Sequence, residues 1–150
     1  MNTFTIYNFN AKPSEGQKEE IVNFLHTHLG PYGDPKEHIL KCLHFAIGEP
    51  AAAMGGFILL IRNKEELQGV TIVNRTGMSG YIPENILVYI AVHENTRGKG
   101  IGKQLMQKAI ATADGGIALH VEPDNPARFL YEKLGFENKY LEMRLPRLKL

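Results

Sequence analysis

Val92-His93-Glu94-Asn95-Thr96-Arg97-Gly98-Lys99-Gly100-Ile101-Gly102-Lys103 lies between an extended apolar run, Ile86 to Val92, and an amphipathic run that begins at Ile101. It reads as the end of a strand, a glycine-rich turn and the first turn of a helix. Three glycines at alternate positions remove the Cβ atoms that would hold a ligand off the main chain, so successive N–H groups can converge on an anion at the helix N-terminus. Arg97, Lys99 and Lys103 add charge of the matching sign. A surface turn that is merely rich in Gly and Lys has the same composition, so the flanking segments have to decide.

Downstream, Ile101, Leu105, Met106, Ala109 and Ile110 form one apolar helical face that stops at Asp114-Gly115-Gly116. Ile117 to Val121 predicts a fifth strand. Asn125 or Asp124 caps a fourth helix with Pro126 near its first position, Phe129, Leu130 and Leu134 inward and Gly135 closing it, and Tyr140 to Leu145 predicts a last strand. Upstream, Phe57 to Ile61 and Val70 to Val73 are apolar runs joined by the polar segment Arg62 to Gly69, a hairpin, and Thr76 to Glu84 is an exposed loop. Earlier still are two amphipathic helices. The first has Ser14 and Gln17 at capping-box spacing, Ile21, Phe24, Leu25 and Leu29 on one face and Gly30-Pro31 as its stop. The second has Asp34 as expected N-cap, Pro35 and Glu37 behind it, Ile39, Leu40, Leu43 and Ile47 as its buried stripe, and Gly48 with Pro50 at its end. A short alternation from Thr3 to Asn10 predicts the first strand.

The order β-α-α-β-β-β-α-β-α-β argues one α/β (α+β) domain over residues 1–150, with an early antiparallel meander and later strand-helix-strand crossovers that need parallel pairing. Two phosphate loops can be tested against the glycine stretch. A dinucleotide fingerprint starting at Gly98 needs glycine where Lys103 stands, and a P-loop ending at Gly102-Lys103 needs glycine at Arg97 and Ser or Thr at Gln104. Both fail. What remains is R-x-x-G-x-G between a strand and a helix, followed by Asn125, Tyr131 six residues later and Gly135-Phe136 four beyond that.

In these two motifs and in its element order the chain resembles the GNAT superfamily of acetyl-CoA-dependent N-acetyltransferases, most strongly from Ile86 to Phe136. The resemblance implies a mixed, mostly antiparallel central sheet flanked by four helices, with a splayed parallel strand pair at the CoA site. It implies that main-chain groups of Ile90, Ala91 and Val92 line the acetyl and pantetheine arm and that Arg97, Gly98, Lys99, Gly100, Ile101, Gly102 and Lys103 hold the pyrophosphate. Asn125 would hydrogen-bond the pantetheine and Tyr131 would act as general acid toward the leaving sulfur. A plain helix cap and a core aromatic are the structural alternatives for those two residues. His120 is the first candidate base, and stands where the similar ribosomal-protein alanine acetyltransferases carry glutamate, a departure that puts an N-terminal peptide acceptor in doubt. Glu84 is the second candidate base, with a solvated loop carboxylate as the alternative. Tyr89 is an acceptor-pocket residue or a sheet-face packing residue.

The expected reaction is transfer of an acetyl group from acetyl-CoA to a primary amine, small molecule or protein, by direct attack in a ternary complex. A non-catalytic acyl-CoA-binding or sensing module is the alternative. Homodimerisation is a further implication of the resemblance. Composition narrows the rest. Lys and Arg total 17 against 16 Asp and Glu, so no electrostatic footprint for nucleic acid or an anionic membrane is present. The single Cys42 rules out an intramolecular disulfide, and His26 with His28 or His38 with Cys42 lacks the fuller ligand set of a zinc site, so no metal is expected. No apolar signal region or membrane run opens the chain, which makes a cytoplasmic setting the expectation.

Overall fold

A computed structural model describes residues 1–147, which gather into two compact units, one spanning Met1–Leu119 and one from His120 onward. In the first unit the elements are β1 (Asn2–Tyr7), α1 (Glu15–Leu29), α2 (Lys36–Ala46), β2 (Gly56–Asn63), β3 (Glu66–Arg75), β4 (Asn85–Val92), α3 (Ile101–Thr112) and β5 (Ile117–Leu119). The strands form one sheet in the order β1-β2-β3-β4-β5, antiparallel except for the final β4–β5 pair. Consecutive strands therefore lie side by side until α3 intervenes, and its crossover makes the last pair parallel.

The two faces of the sheet are covered by different helices. Ile58 and Leu60 of β2, Val70 and Ile72 of β3, and Tyr89 and Ala91 of β4 pack with Ile21 and Leu25 of α1 and Ile39 and Leu43 of α2. Residues of opposite parity on β3 meet α3, as the period of two along a strand requires. Gly69 makes that approach possible. A Cβ there would lie 3.1 Å from Ile61 Cγ2 and 3.2 Å from Leu105 Cδ2, tighter than packed atoms tolerate without movement.

The helix signals hold in part. Ser14 caps α1 through the expected reciprocal pair, its Oγ accepting from the Gln17 N–H at 3.2 Å while Gln17 Oε1 accepts from the Ser14 N–H at 2.8 Å. Asp34 does not cap α2. That helix begins at Lys36 with Pro35 before it, and the Asp34 carboxylate accepts instead from the Tyr89 hydroxyl at 2.5 Å. A local cap gave way to a bond that ties the α1–α2 connection to the sheet.

Strand ends differ for similar reasons. β1 stops at Tyr7 because the Asn8 side chain accepts from the Asn10 and Ala11 N–H groups, closing an Asx-type turn that carries Phe9 out of the ladder. β5 is limited to Ile117–Leu119. The second unit contains α4 (Ala127–Lys133), and the segment expected to form a strand at Tyr140 to Leu145 is irregular, with Tyr140, Leu141, Met143 and Leu145 exposed. An apolar pattern supplies one face of a strand. It does not supply the neighbouring ladder.

Candidate active site

β4 pairs with β3 along its length but with β5 only through Asn85, Ile86 and Leu87. The cause is local. Leu87 lies opposite Val73 and Tyr89 opposite Ile72, so Val88 is an extra residue, and such a bulge bends a strand and increases its twist. Beyond it, Val88 to Val92 have no partner on the β5 side within the first unit. The phase of the ladder then decides which groups face that open edge. The His93 N–H donates to the Gln68 carbonyl at 2.8 Å, which makes this a bonded pair, and alternation turns Ala91 and Tyr89 toward β3 and Ile90 and Val92 outward. Of the three residues expected to line the acetyl arm, Ile90 and Val92 offer free main-chain groups and Ala91 spends its own on the ladder.

After β4 the chain makes a 3-10 turn at Glu94–Thr96, capped by His93, whose Nδ1 accepts from the Asn95 N–H at 3.1 Å. Gly98 and Gly100 follow at φ of 81° and 80°, and a Cβ on either would meet nothing within 4 Å. Their glycine requirement is thus conformational rather than steric, since L side chains strain in that region. The first intrahelical bond of α3 runs from Gln104 N–H to Gly100 C=O at 3.0 Å, leaving the N–H groups of Ile101, Gly102 and Lys103 at the positive end of the helix with no side-chain cap. Such an end suits a pyrophosphate, and Lys99 and Lys103 flank it in solvent. Arg97 behaves differently. Its Nη2 donates to the His28 carbonyl in the last turn of α1 at 2.9 Å, so its charge is tied to that helix end.

Glu84 sits at the opposite end of β4. Its Oε1 accepts from the Gly116 N–H at 2.6 Å and its Oε2 from the Gly80 N–H at 3.3 Å, and these backbone donors, with Gly116 foremost, hold the carboxyl below its usual range. A carboxylate so held is a tie between two loops and a weak base, which removes the reason for expecting proton abstraction there. The Cys42 thiol is pushed up to about 12 by burial and stays a thiol.

In the second unit Asn125 does not cap α4, whose N-cap position is held by Pro126 without a side-chain cap; its Oδ1 accepts instead from the Ala127 N–H at 2.9 Å, closing an Asx-type turn ahead of the helix. Tyr131 is buried, with its ring 6.0 Å from Phe136 at an edge-on angle, and burial pushes its phenol up to about 12. His120 is exposed, with Nδ1 3.8 Å from Glu142 Oε1 and 3.5 Å from an Arg144 guanidinium nitrogen. Asp34, His28 and His93 escaped the sequence reading as functional positions. Their partners are tens of residues away in the chain, and no local pattern announces such contacts. Among the described residues no group of three or more His, Cys, Asp or Glu side chains could hold a metal ion, and no helix is long and apolar enough to cross a membrane.

Residues 54–138 match the family model described as acetyltransferase (GNAT) domain, more than half of the chain. A 5-NmdU N-acetyltransferase of Pseudomonas phage PaMx11 is 31% identical over 88 residues, which cover 57% of this chain and 61% of that protein. A crystal structure described as a transcriptional regulator from Bacillus halodurans C-125 is similar with a TM-score of 0.67 and 26% identity, over 97% of this chain and 100% of that one. The aminoglycoside N-acetyltransferase AAC(6')-Iy, solved in complex with CoA, shares the fold with a TM-score of 0.68 at 17% identity, over 98% of this chain and 96% of that one.

Proposed function

The chain belongs to the GNAT acetyltransferase family, and from that premise we propose that it transfers the acetyl group of acetyl-CoA to a primary amine within a single catalytic domain. The observation that carries this reading is the parting of β4 from β5 after Leu87, directly before a turn whose αL glycines open the N-terminus of α3. Acetyl-CoA supplies an activated thioester when bound. The chain's own groups supply the rest.

The N–H groups of Ile101, Gly102 and Lys103, with Gly98 and Gly100 shaping the approach and Lys99 and Lys103 adding charge, hold the pyrophosphate. The outward N–H groups of Ile90 and Val92 bind the pantetheine arm, and the one nearest the acetyl carbonyl donates to its oxygen as negative charge develops there. Loss of a donor of this kind costs about 2.7–4 kcal/mol of transition-state stabilisation. Asn125 adds a hydrogen bond to the arm. Tyr131 keeps its proton at neutral pH as any tyrosine does, and although burial, which raises it to about 12, makes it a weaker acid, it donates to the departing sulfur and passes its proton as charge collects there. His120, open to solvent, accepts the proton that the attacking amine loses. With Cys42 held as a thiol, no covalent acetyl relay is invoked.

The similarity to the phage 5-NmdU N-acetyltransferase makes 5-NmdU the first acceptor to assay, with aminoglycosides and polyamines beside it. Thiol release from acetyl-CoA across that panel tests the reading. Release that depends on an added amine is expected, whereas tight CoA binding with no release for any amine would favour a binding or sensing module.

A further inference from the structure

A ring stack that the reaction does not use stands at the root of the glycine turn. His28, in the last turn of α1, and His93, just after β4, have ring centroids 4.4 Å apart, and Phe24 lies 4.5 Å from His28 and 6.3 Å from His93. Every other polar contact recorded for His93 shapes the turn. Its N–H goes to Gln68, its Nδ1 accepts from Asn95, and its carbonyl accepts from the Thr96 N–H and hydroxyl, each at 2.9 Å. At the far end of the turn Arg97 donates to the His28 carbonyl at 2.9 Å. Both ends of the segment 93–97 are therefore fastened to one residue of α1, the upper by ring stacking and the lower by a charge-assisted hydrogen bond.

His28 is also the weak point of this arrangement. Its Nδ1 is buried and has no hydrogen-bond partner among the described residues, which a neutral ring protonated at Nε2 tolerates. An imidazolium would carry an N–H with no acceptor into that space, against the His93 ring and the Arg97 guanidinium. Glu94 is the carboxylate that opposes this, and Glu20, in the same groove of about 390 Å³, is engaged by Arg62 at 2.6 Å.

We propose that His28 and His93 are positioning residues of the donor site, clamping the turn that presents the glycine loop while His28 is neutral and releasing it when His28 gains a proton. This rests on the donor assignment made above for Gly98 to Lys103. Burial first, then His93 and Arg97, holds His28 below the ordinary histidine value, with Glu94 acting the other way. The clamped state thus binds fewer protons than the released one. Clamping is complete above about pH 6.5 and is lost progressively as pH falls from there through the lowered value. Attraction between an imidazolium and ligand phosphates opposes the effect, but it acts across solvent on an exposed loop and is screened, whereas an N–H without an acceptor is not.

Calorimetric binding of CoA between about pH 7.5 and about pH 5.5 reads the clamp directly. The wild type should weaken about fivefold more than His28→Phe, which keeps a ring in the stack and carries no proton. His93→Asn keeps a side-chain oxygen for the Asn95 N–H but ends the stack, and should bind more weakly at both pH values with a flat profile. Titration of the CoA phosphates is common to all three proteins and cancels in the comparison. A Phe variant that follows the wild-type curve overturns the proposal. In the free wild-type protein, two-bond ¹H–¹⁵N spectra should show His28 as the Nε2–H tautomer, with a midpoint below the ordinary histidine value of about 6.5, and a midpoint at or above that value overturns it as well. If no variant binds CoA at any pH, the donor assignment fails, and the spectra of the free protein still judge the clamp.

Discussion

Tyr131 and Glu84 show how far the role open to a titratable side chain depends on its surroundings. The phenol of Tyr131 is raised to about 12 by burial alone, so it enters any reaction at neutral pH with its proton in place. Tyr131→Phe keeps the ring that meets Phe136 edge-on and removes only the hydroxyl group. It should lower kcat by on the order of 10² to 10⁴ and leave CoA affinity nearly unchanged, which stopped-flow thiol release and calorimetry together would check. Turnover equal to wild type would remove the acid role. Glu84 has the opposite history. Backbone donors from Gly116 and Gly80 occupy both of its oxygens, so a carboxylate that looked available for proton transfer is spent on holding two loops together. Cys42 and His38 fall on one face of α2, but Cys42 is a half-buried thiol with Asn74 Nδ2 3.4 Å from its sulfur, far from the thiolate a nucleophile requires.

Among the elements, β4 is the natural support for the proposed site because it is irregular in two ways. The extra residue Val88 breaks its register with β3, and pairing with β5 ends one position earlier, at Leu87. Either feature alone would leave a strand end, and together they leave outward main-chain groups at Ile90 and Val92 on a rigid support. The turn into α3 continues the same logic, because Gly98 and Gly100 hold conformations that present N–H groups rather than side chains. Gly100→Val should abolish measurable CoA binding while circular dichroism still reports a folded sheet, since nothing lies within 4 Å of the new Cβ and the penalty falls on the backbone φ of 80°. Normal CoA affinity in that variant would move the pyrophosphate elsewhere.

At the scale of the whole molecule, charge is balanced, and within the first unit the candidate donor-site groups gather on one strand, one turn and the residues that brace them. The bracing depends on the core between the sheet and α1 and α2. Leu25 is fully buried there, and Leu25→Ala should cost about 2–5 kcal/mol. A urea titration should show the earlier midpoint, while the folded fraction keeps its CoA affinity. A midpoint equal to wild type would mean that α1 contributes little to the fold. By itself the sequence determined the mixed sheet, the meander before α3, the capping box at Ser14 and the glycine turn. These follow from hydrophobic period, from the backbone angles glycine permits and from caps that span a few residues. The motifs carried the donor assignment for the same reason, since a turn and the helix that follows it are written in consecutive residues. Tertiary structure alone decided that β4 parts from β5 after Leu87, that Asp34 bonds Tyr89 instead of capping α2, that Glu84 ties two loops and that Tyr140 to Leu145 forms no strand. It also brought His28 to His93 and Arg97. Each of these depends on a partner distant in the chain, and a pattern with a period of a few residues holds no information about which distant group will arrive.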